Sequence, residues 1–193
     1  KAARRWAYRS KKIENNKAEI IVANGNFHGR TTTIISFSSD ANSKDDFGPH
    51  TPGFVSVEYG SSKAIEEAIN ENTAAVLVEP IQGEGGIIVP PENWLPEVRE
   101  ICTKHGVLMI LDEIQSGLGR TGKMFAFQHA NIQPDGLILG KALGGGFMPV
   151  SCFLSSKEVM QWLNPGSHGS TFGGNPLAAA IGKRSLELLE EEH

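Results

Sequence analysis

The sequence is poor in the features that mark cross-linked, membrane-borne or nucleic-acid-bound proteins. Only two of its 193 residues are cysteine, Cys102 and Cys152. They are distant and form no C-x-x-C pair, which argues against a disulfide framework or a metal site. Two free thiols point to a reducing compartment, the cytoplasm or, in a eukaryote, the mitochondrial matrix. The longest apolar runs, such as Val107–Leu111, are far too short to span a bilayer. The net charge is −4 with no basic stripe, so nucleic acid is not expected as a partner. Internal repeats, low-complexity tracts and linkers are absent, and proline and glycine cluster at the ends of apolar runs. An initiating methionine and a secretory signal are also missing. The chain opens at Lys1 inside an amphipathic pattern (Ala3, Trp6, Ala7, Ile13) and stops at Glu190–His193 inside a helical one. It reads as an internal fragment of a longer protein.

What is present is ordinary for a globular domain: 39% hydrophobic and 21% charged residues, in a length that suits one domain or most of one. Short β-branched runs alternate with helical stretches. The pattern predicts strands at Glu19–Ala23, Phe54–Glu58, Ala74–Glu79, Val107–Asp112, Leu137–Gly140 and Val150–Ser155. Several are apolar on both faces, as in a buried sheet. Helices are predicted over Ala2–Ile13, Ser61–Asn72, Glu92–His105 and Asn175–Glu192. Ser61 stands as an N-cap, and Gly106 follows His105 as a helix stop. The alternation implies an α/β fold with a mostly parallel sheet sandwiched by helices, with ligands beyond the carboxyl ends of the strands.

The polar residues that follow the strands are therefore the informative ones. Asn26-Phe27-His28-Gly29-Arg30 follows the first strand, and Glu79, Pro80, Gln82 and Glu84 follow the third. Asp112, Glu113 and Gln115 follow the fourth. Lys141 follows the fifth, ahead of Ala142, Leu143 and the three glycines Gly144–Gly146. A parallel sheet would gather these at one edge. Lys141 at an apolar strand end would be buried, and burial favours the neutral, nucleophilic amine that forms a Schiff base. A surface lysine in a flexible loop is the alternative. Asp112 ends an apolar strand, and a buried carboxylate needs a partner: a protonated pyridine nitrogen, or an arginine in the core. Phe27 fits a core position as well as a binding one. A P-loop ATPase reading fails, because Gly136 stands one residue too close to Gly140-Lys141 and Ala142 replaces the magnesium-binding hydroxyl.

Five strings occur in the order seen in class III pyridoxal-phosphate-dependent aminotransferases. They are Asn26–Thr31 (NFHGRT), Glu79–Glu84 (EPIQGE), Leu111–Gly117 (LDEIQSG), Gly140–Leu143 (GKAL) and Gly169–Pro176 (GSTFGGNP). The resemblance spans essentially the whole chain. Within the family, Asp46–Pro49, Pro52–Phe54 and Gly146–Ser151 resemble the ornithine-specific branch more than the acetylornithine or 4-aminobutyrate branches.

The resemblance implies the large domain of fold type I pyridoxal-phosphate transferases and a homodimer with a shared active site. The implied reaction moves the δ-amino group of ornithine to 2-oxoglutarate. Lys141 would carry the cofactor Schiff base and shuttle the proton. Asp112 would hold the pyridine nitrogen protonated, making the ring an electron sink. Gln115 would bond the phenolic oxygen, and Phe27 and Ile114 would pack on the two ring faces. Arg30 would clamp the substrate α-carboxylate. Glu84 would pair with a gating arginine from a C-terminal small domain, and Thr171 would reach the cofactor phosphate of the neighbouring subunit. Glu79 is grouped with the substrate contacts, although it also fits as a strand terminator. Thr171 could instead cap the following helix, for which Asn175 before Pro176 is the better candidate. His28 reads as structural or as a support to a site residue. His50, His105, His129 and His168 show no ligand spacing, no metal is expected, and Glu187–Glu192 reads as a solvated helix face. The family's phosphate-binding turn, the segment holding the ornithine side chain and the small domain would lie outside this sequence, so the isolated fragment is expected to be inactive. A related ω-amine transaminase, or a non-catalytic module with the same fold, remains the alternative.

Overall fold

The computed structural model describes residues Lys1–Glu192, so His193 of the terminal helical pattern lies outside the described residues. Six strands form one sheet: β1 (Glu19–Ala23), β2 (Phe54–Val57), β3 (Thr73–Val78), β4 (Leu108–Asp112), β5 (Gly136–Leu139) and β6 (Cys152–Ser155). Their spatial order is β2-β1-β3-β4-β5-β6. The first five are parallel, and β6 runs antiparallel along β5 with Leu137 opposite Leu154. β3 and β4 lie at the centre and are apolar on both faces, which is why they carry no alternating polar pattern. The turn from β5 to β6 contains only a short 3-10 segment, Lys141–Gly144, so the chain doubles back without the crossover helix that a parallel partner needs.

The connecting helices are α1 (Ala2–Trp6, continuing as a π-turn through Lys11), α2 (Thr32–Ile35), α3 (Ala41–Lys44), α4 (Ser62–Ala68), α5 (Trp94–His105), α6 (Lys157–Met160) and α7 (Pro176–Glu191). Two apolar layers flank the sheet. One joins Ile21, Val76, Val78, Met109 and Leu111 to Ile65 of α4 and to Trp94, Val98 and Cys102 of α5. The other joins Ile20, Val22, Ala75, Leu108 and Ile110 to Ala3, Phe37 and Val159. Burial pushes the Cys102 thiol up to about 12, so this residue is a small core hydrophobe and not a reactive group.

Several helix ends match their sequence signals. Ser61 Oγ accepts the Ala64 N–H at 3.1 Å, Gly106 turns left-handed at φ 59°, and Asn175 Oδ1 accepts the Ala178 N–H at 2.9 Å. α4 stops earlier than expected. Asn70 takes over the chain there, accepting the Asn72 N–H at 2.8 Å while its own N–H donates to Thr73 Oγ1 at 2.9 Å. No described helix is long and apolar enough to cross a membrane.

Candidate active site

Parallel pairing sends the carboxyl ends of β1, β3, β4 and β5 to one edge, at the point where strand order reverses between β1 and β3. Phe27, His28, Glu79, Ile81, Glu84, Asp112, Ile114, Gln115, Ser116 and Lys141 line a cavity of about 190 Å³ there. A larger cleft of about 810 Å³ opens at the opposite edge, against Val107, Leu108 and Asp135. Its Arg99 and Asp135 are paired with each other at 2.7 Å. The strand-end polar residues gather in the smaller cavity.

At its floor, Asp112 Oδ2 lies 2.7 Å from His28 Nδ1, with side chains 5% and 2% exposed. Asp112 Oδ1 accepts the Ile114 N–H at 3.1 Å. The protein partner of this buried carboxylate is thus a histidine and not the core arginine that sequence allowed. A carboxylate has about four lone-pair sites, so capacity remains for a further donor. His28 Nε2 and Ser116 Oγ are buried without a hydrogen-bond partner among the described residues. Such atoms call for an account, and a ligand or an ordered water supplies one.

Glu79 is buried and accepts the Phe27 N–H at 3.1 Å. Burial pushes its carboxyl above the usual range. The nearby Asp112 charge adds to that, while the Phe27 and Gly83 N–H groups and His28 oppose it. Tyr59, beyond the end of β2, shares its hydroxyl between the Glu79 and Pro80 carbonyls at 3.1 and 3.0 Å.

Lys141 departs from expectation. Its side chain is 48% exposed, and Nζ lies 3.5 Å from Glu84 Oε1. The backbone turns left-handed there, at φ 43°, an uncommon conformation for a non-glycine residue that concentrates at functional sites. This turn carries the amine off the strand and over the cavity mouth. Gln115 Nε2 donates to the same Glu84 oxygen at 3.2 Å. Gly83 makes room for that contact, since a Cβ there would stand 1.3 Å from Gln115 Oε1.

Two expected residues lie off the cavity wall. Arg30 is exposed, donates from Nη1 to Ser43 Oγ at 3.2 Å, and holds its guanidinium 5.5 Å from the Phe27 ring centre. Thr171 is exposed in the stretch before α7, where Asn175 does the capping. The other seven meet at the cavity. Sequence reasoning named Glu113 among the strand-end groups but gave it no role. It is fully buried and accepts the Ala126 and Phe127 N–H groups at 2.6 and 2.8 Å, closing the loop that bears Ile114 and Gln115. Its adjacency to Asp112 at a strand end was the available signal.

A family model described as aminotransferase class III matches residues 1–193. The chain belongs to this family. An ornithine aminotransferase of Oceanobacillus iheyensis is 55% identical over 193 residues. Ornithine aminotransferase 2 of Staphylococcus aureus is 59% identical over 192. Each alignment covers 100% of this chain and 48% of the relative, so the chain spans about half the length of the curated relatives it matches. The ornithine aminotransferase of Toxoplasma gondii superposes with a TM-score of 0.98 at 47% identity, over 99% of this chain and 46% of that one. An acetylornithine aminotransferase from Elizabethkingia anophelis gives 0.84 at 44% identity, over 100% and 44%. A further structure of the Toxoplasma enzyme has partial occupancy of pyridoxal phosphate at its active site.

Proposed function

We propose that this chain is the cofactor-binding core of an aminotransferase that moves the δ-amino group of L-ornithine to 2-oxoglutarate, giving glutamate 5-semialdehyde and glutamate. The observation that carries the reading is the meeting of Lys141, Asp112 and Gln115 at one cavity on the carboxyl edge of the sheet. Identity of 55–59% to ornithine aminotransferases along the whole chain favours ornithine over acetylornithine, 4-aminobutyrate or other ω-amines.

The residues fit pyridoxal phosphate. The lone-pair capacity of Asp112 and the orphaned His28 Nε2 and Ser116 Oγ suit a polar aromatic guest. When bound, the cofactor supplies an aldehyde that condenses with amines and a ring that accepts electron density once its nitrogen is protonated.

The chain's own residues do the rest. Lys141 would hold the cofactor through its amine and, once free, would take the proton from the substrate carbon that bears the reacting amine. The Asp112 carboxylate keeps the ring-nitrogen proton in place, held in orientation by His28 Nδ1 and the Ile114 N–H. Gln115 would bond the phenolic oxygen in place of Glu84. Phe27 and Ile114 would pack against the ring and exclude water. Arg30 swings from Phe27 to grip the α-carboxylate in a bidentate pair, leaving the δ-amine at the reacting centre. Glu84, released from Lys141, pairs with a gating arginine supplied from outside this chain. A second copy brings Thr171 to the phosphate, in a homodimer of the cytoplasm or mitochondrial matrix.

Borohydride reduction of the protein loaded with pyridoxal phosphate, followed by peptide mapping, should place the label on Lys141. Lys141→Ala should lose the label, the visible absorbance band and its response to ornithine. A label on Lys123 or Lys157 would overturn the assignment.

A further inference from the structure

We propose that Glu79 is a positioning residue, a strut that ties the end of β3 to the segment after β1 so that Phe27 and Arg30 are presented together, without touching the substrate. The proposal rests on the aminotransferase reading above. Three strand exits are linked in series. Tyr59, beyond β2, holds the Glu79 and Pro80 carbonyls through its hydroxyl. The Glu79 carboxyl, at the end of β3, holds the Phe27 N–H at 3.1 Å. Phe27, beyond β1, carries the Arg30 guanidinium 5.5 Å from its ring centre. The series is anchored in the core, where the Tyr59 ring meets Trp94 edge-on at 4.7 Å between centres.

The competing role is a direct one, in which a carboxylate beside the substrate attracts the α-ammonium of ornithine. The surroundings speak against it. Glu79 is 7% exposed, and two backbone N–H groups already act on its carboxyl. The titratable groups facing it are His28, Asp112 and Tyr59, and burial with the Asp112 charge favours its neutral form.

The two roles separate in Glu79→Gln, Glu79→Ala and Tyr59→Phe, each loaded with pyridoxal phosphate. The measurements are the cofactor Kd and kcat/KM for ornithine and for 5-aminopentanoate, which is ornithine without its α-amine. A strut needs an acceptor but no charge. Glu79→Gln should therefore stay within about threefold of wild type for both amines and for the cofactor. Glu79→Ala orphans a buried N–H and should lose about ten- to a hundredfold in all three. Tyr59→Phe should shift all three in the same direction by less. Loss confined to ornithine in Glu79→Gln would overturn the proposal, as would a Glu79→Ala variant equal to wild type. If Glu79→Ala does not fold, the ratio between the two amines in Glu79→Gln decides. Amide exchange at Phe27 reads the strut independently of catalysis. It should accelerate in Glu79→Ala and Tyr59→Phe and not in Glu79→Gln, even if wild type takes neither amine and the functional reading falls.

Discussion

Removing the Glu113 side chain tests whether the buried carboxylate next to Asp112 is structural. Both of its oxygens are used, on N–H groups 13 and 14 residues further along the chain. Alanine would leave those two donors buried and unpaired. Each such group costs about 1–3 kcal/mol, so the gross loss is about 2–6 kcal/mol. Burial pushes the Glu113 carboxyl above its usual range, with the Asp112 charge adding to it. Wild type therefore carries a desolvation cost that alanine relieves, and the lower half of that range, about 2–4 kcal/mol, is expected. Glu113→Gln keeps one acceptor and turns an amide donor toward the other N–H, for a loss of about 1–3 kcal/mol.

Urea unfolding at neutral pH, with the slope held common to all variants, gives these differences directly. The same titration across pH carries a sign. The folded-state pKa lies above the unfolded one, so the folded protein binds more protons in the window between them. Stability from this group is fully present below the ordinary value of 4.5 and is lost as pH rises through the raised folded value. Glu113→Gln should flatten that fall, leaving the part due to Glu79, whose shift has the same sign. If Glu113→Ala unfolds within about 0.5 kcal/mol of wild type, as a neutral surface change does, the loop is held by something other than Glu113.

Gly83→Ala pushes a Cβ into the Gln115 amide, a flexible group that can move away. Stability should change by less than about 1 kcal/mol, while pyridoxal phosphate affinity, measured by equilibrium titration, falls about fivefold through loss of one hydrogen bond. Asp112→Asn should retain cofactor yet slow proton abstraction by orders of magnitude in single-turnover kinetics, because the electron sink weakens; near-normal turnover would make Asp112 structural. Arg30→Lys keeps charge but loses the planar fork, so kcat/KM for ornithine should fall by the equivalent of about 1.5–3 kcal/mol. An ω-amine lacking an α-carboxylate should be little affected, and an equal fall for both would assign Arg30 to the fold.

The strands were legible because the sheet is central and apolar on both faces, and β1 has the bounds its β-branched run predicts. α2, α3 and α6 were not, since a helix of four residues makes one turn and leaves no periodicity to read. The convergence of Phe27, Glu79, Asp112 and Lys141 was legible because parallel strands put their carboxyl ends on one edge. The exposure of Lys141 was not. It follows from a left-handed turn after Gly140, where a Cβ would already press Ile114 at 3.3 Å. The His28–Asp112 pair joins residues 84 apart in sequence, and no local pattern encodes such a partner.

The adjacent carboxylates at the end of β4 show what decides such roles. Side chains alternate across a strand, so Asp112 and Glu113 point to opposite faces. Asp112 shares its parity with Leu108 and Ile110, which pack in the layer that also holds Phe37, the neighbour of His28. Glu113 shares its parity with Met109 and Leu111, in the layer that holds Phe127, whose N–H it accepts. The same rule puts Glu79 with Ala75 and Leu77, on the Asp112 side, where Phe27 and His28 also lie. The cavity thus opens on one face of the sheet edge, and the carboxylate on the other face is left to hold the loop. Parity, more than residue type, separates the carboxylate that lines the cavity from the one that holds the loop. Asp112→Asn should therefore move catalysis with little change in urea midpoint, and Glu113→Gln should do the reverse. A variant pair with the two readouts interchanged would mean that the strand leaves the sheet one residue earlier than Asp112.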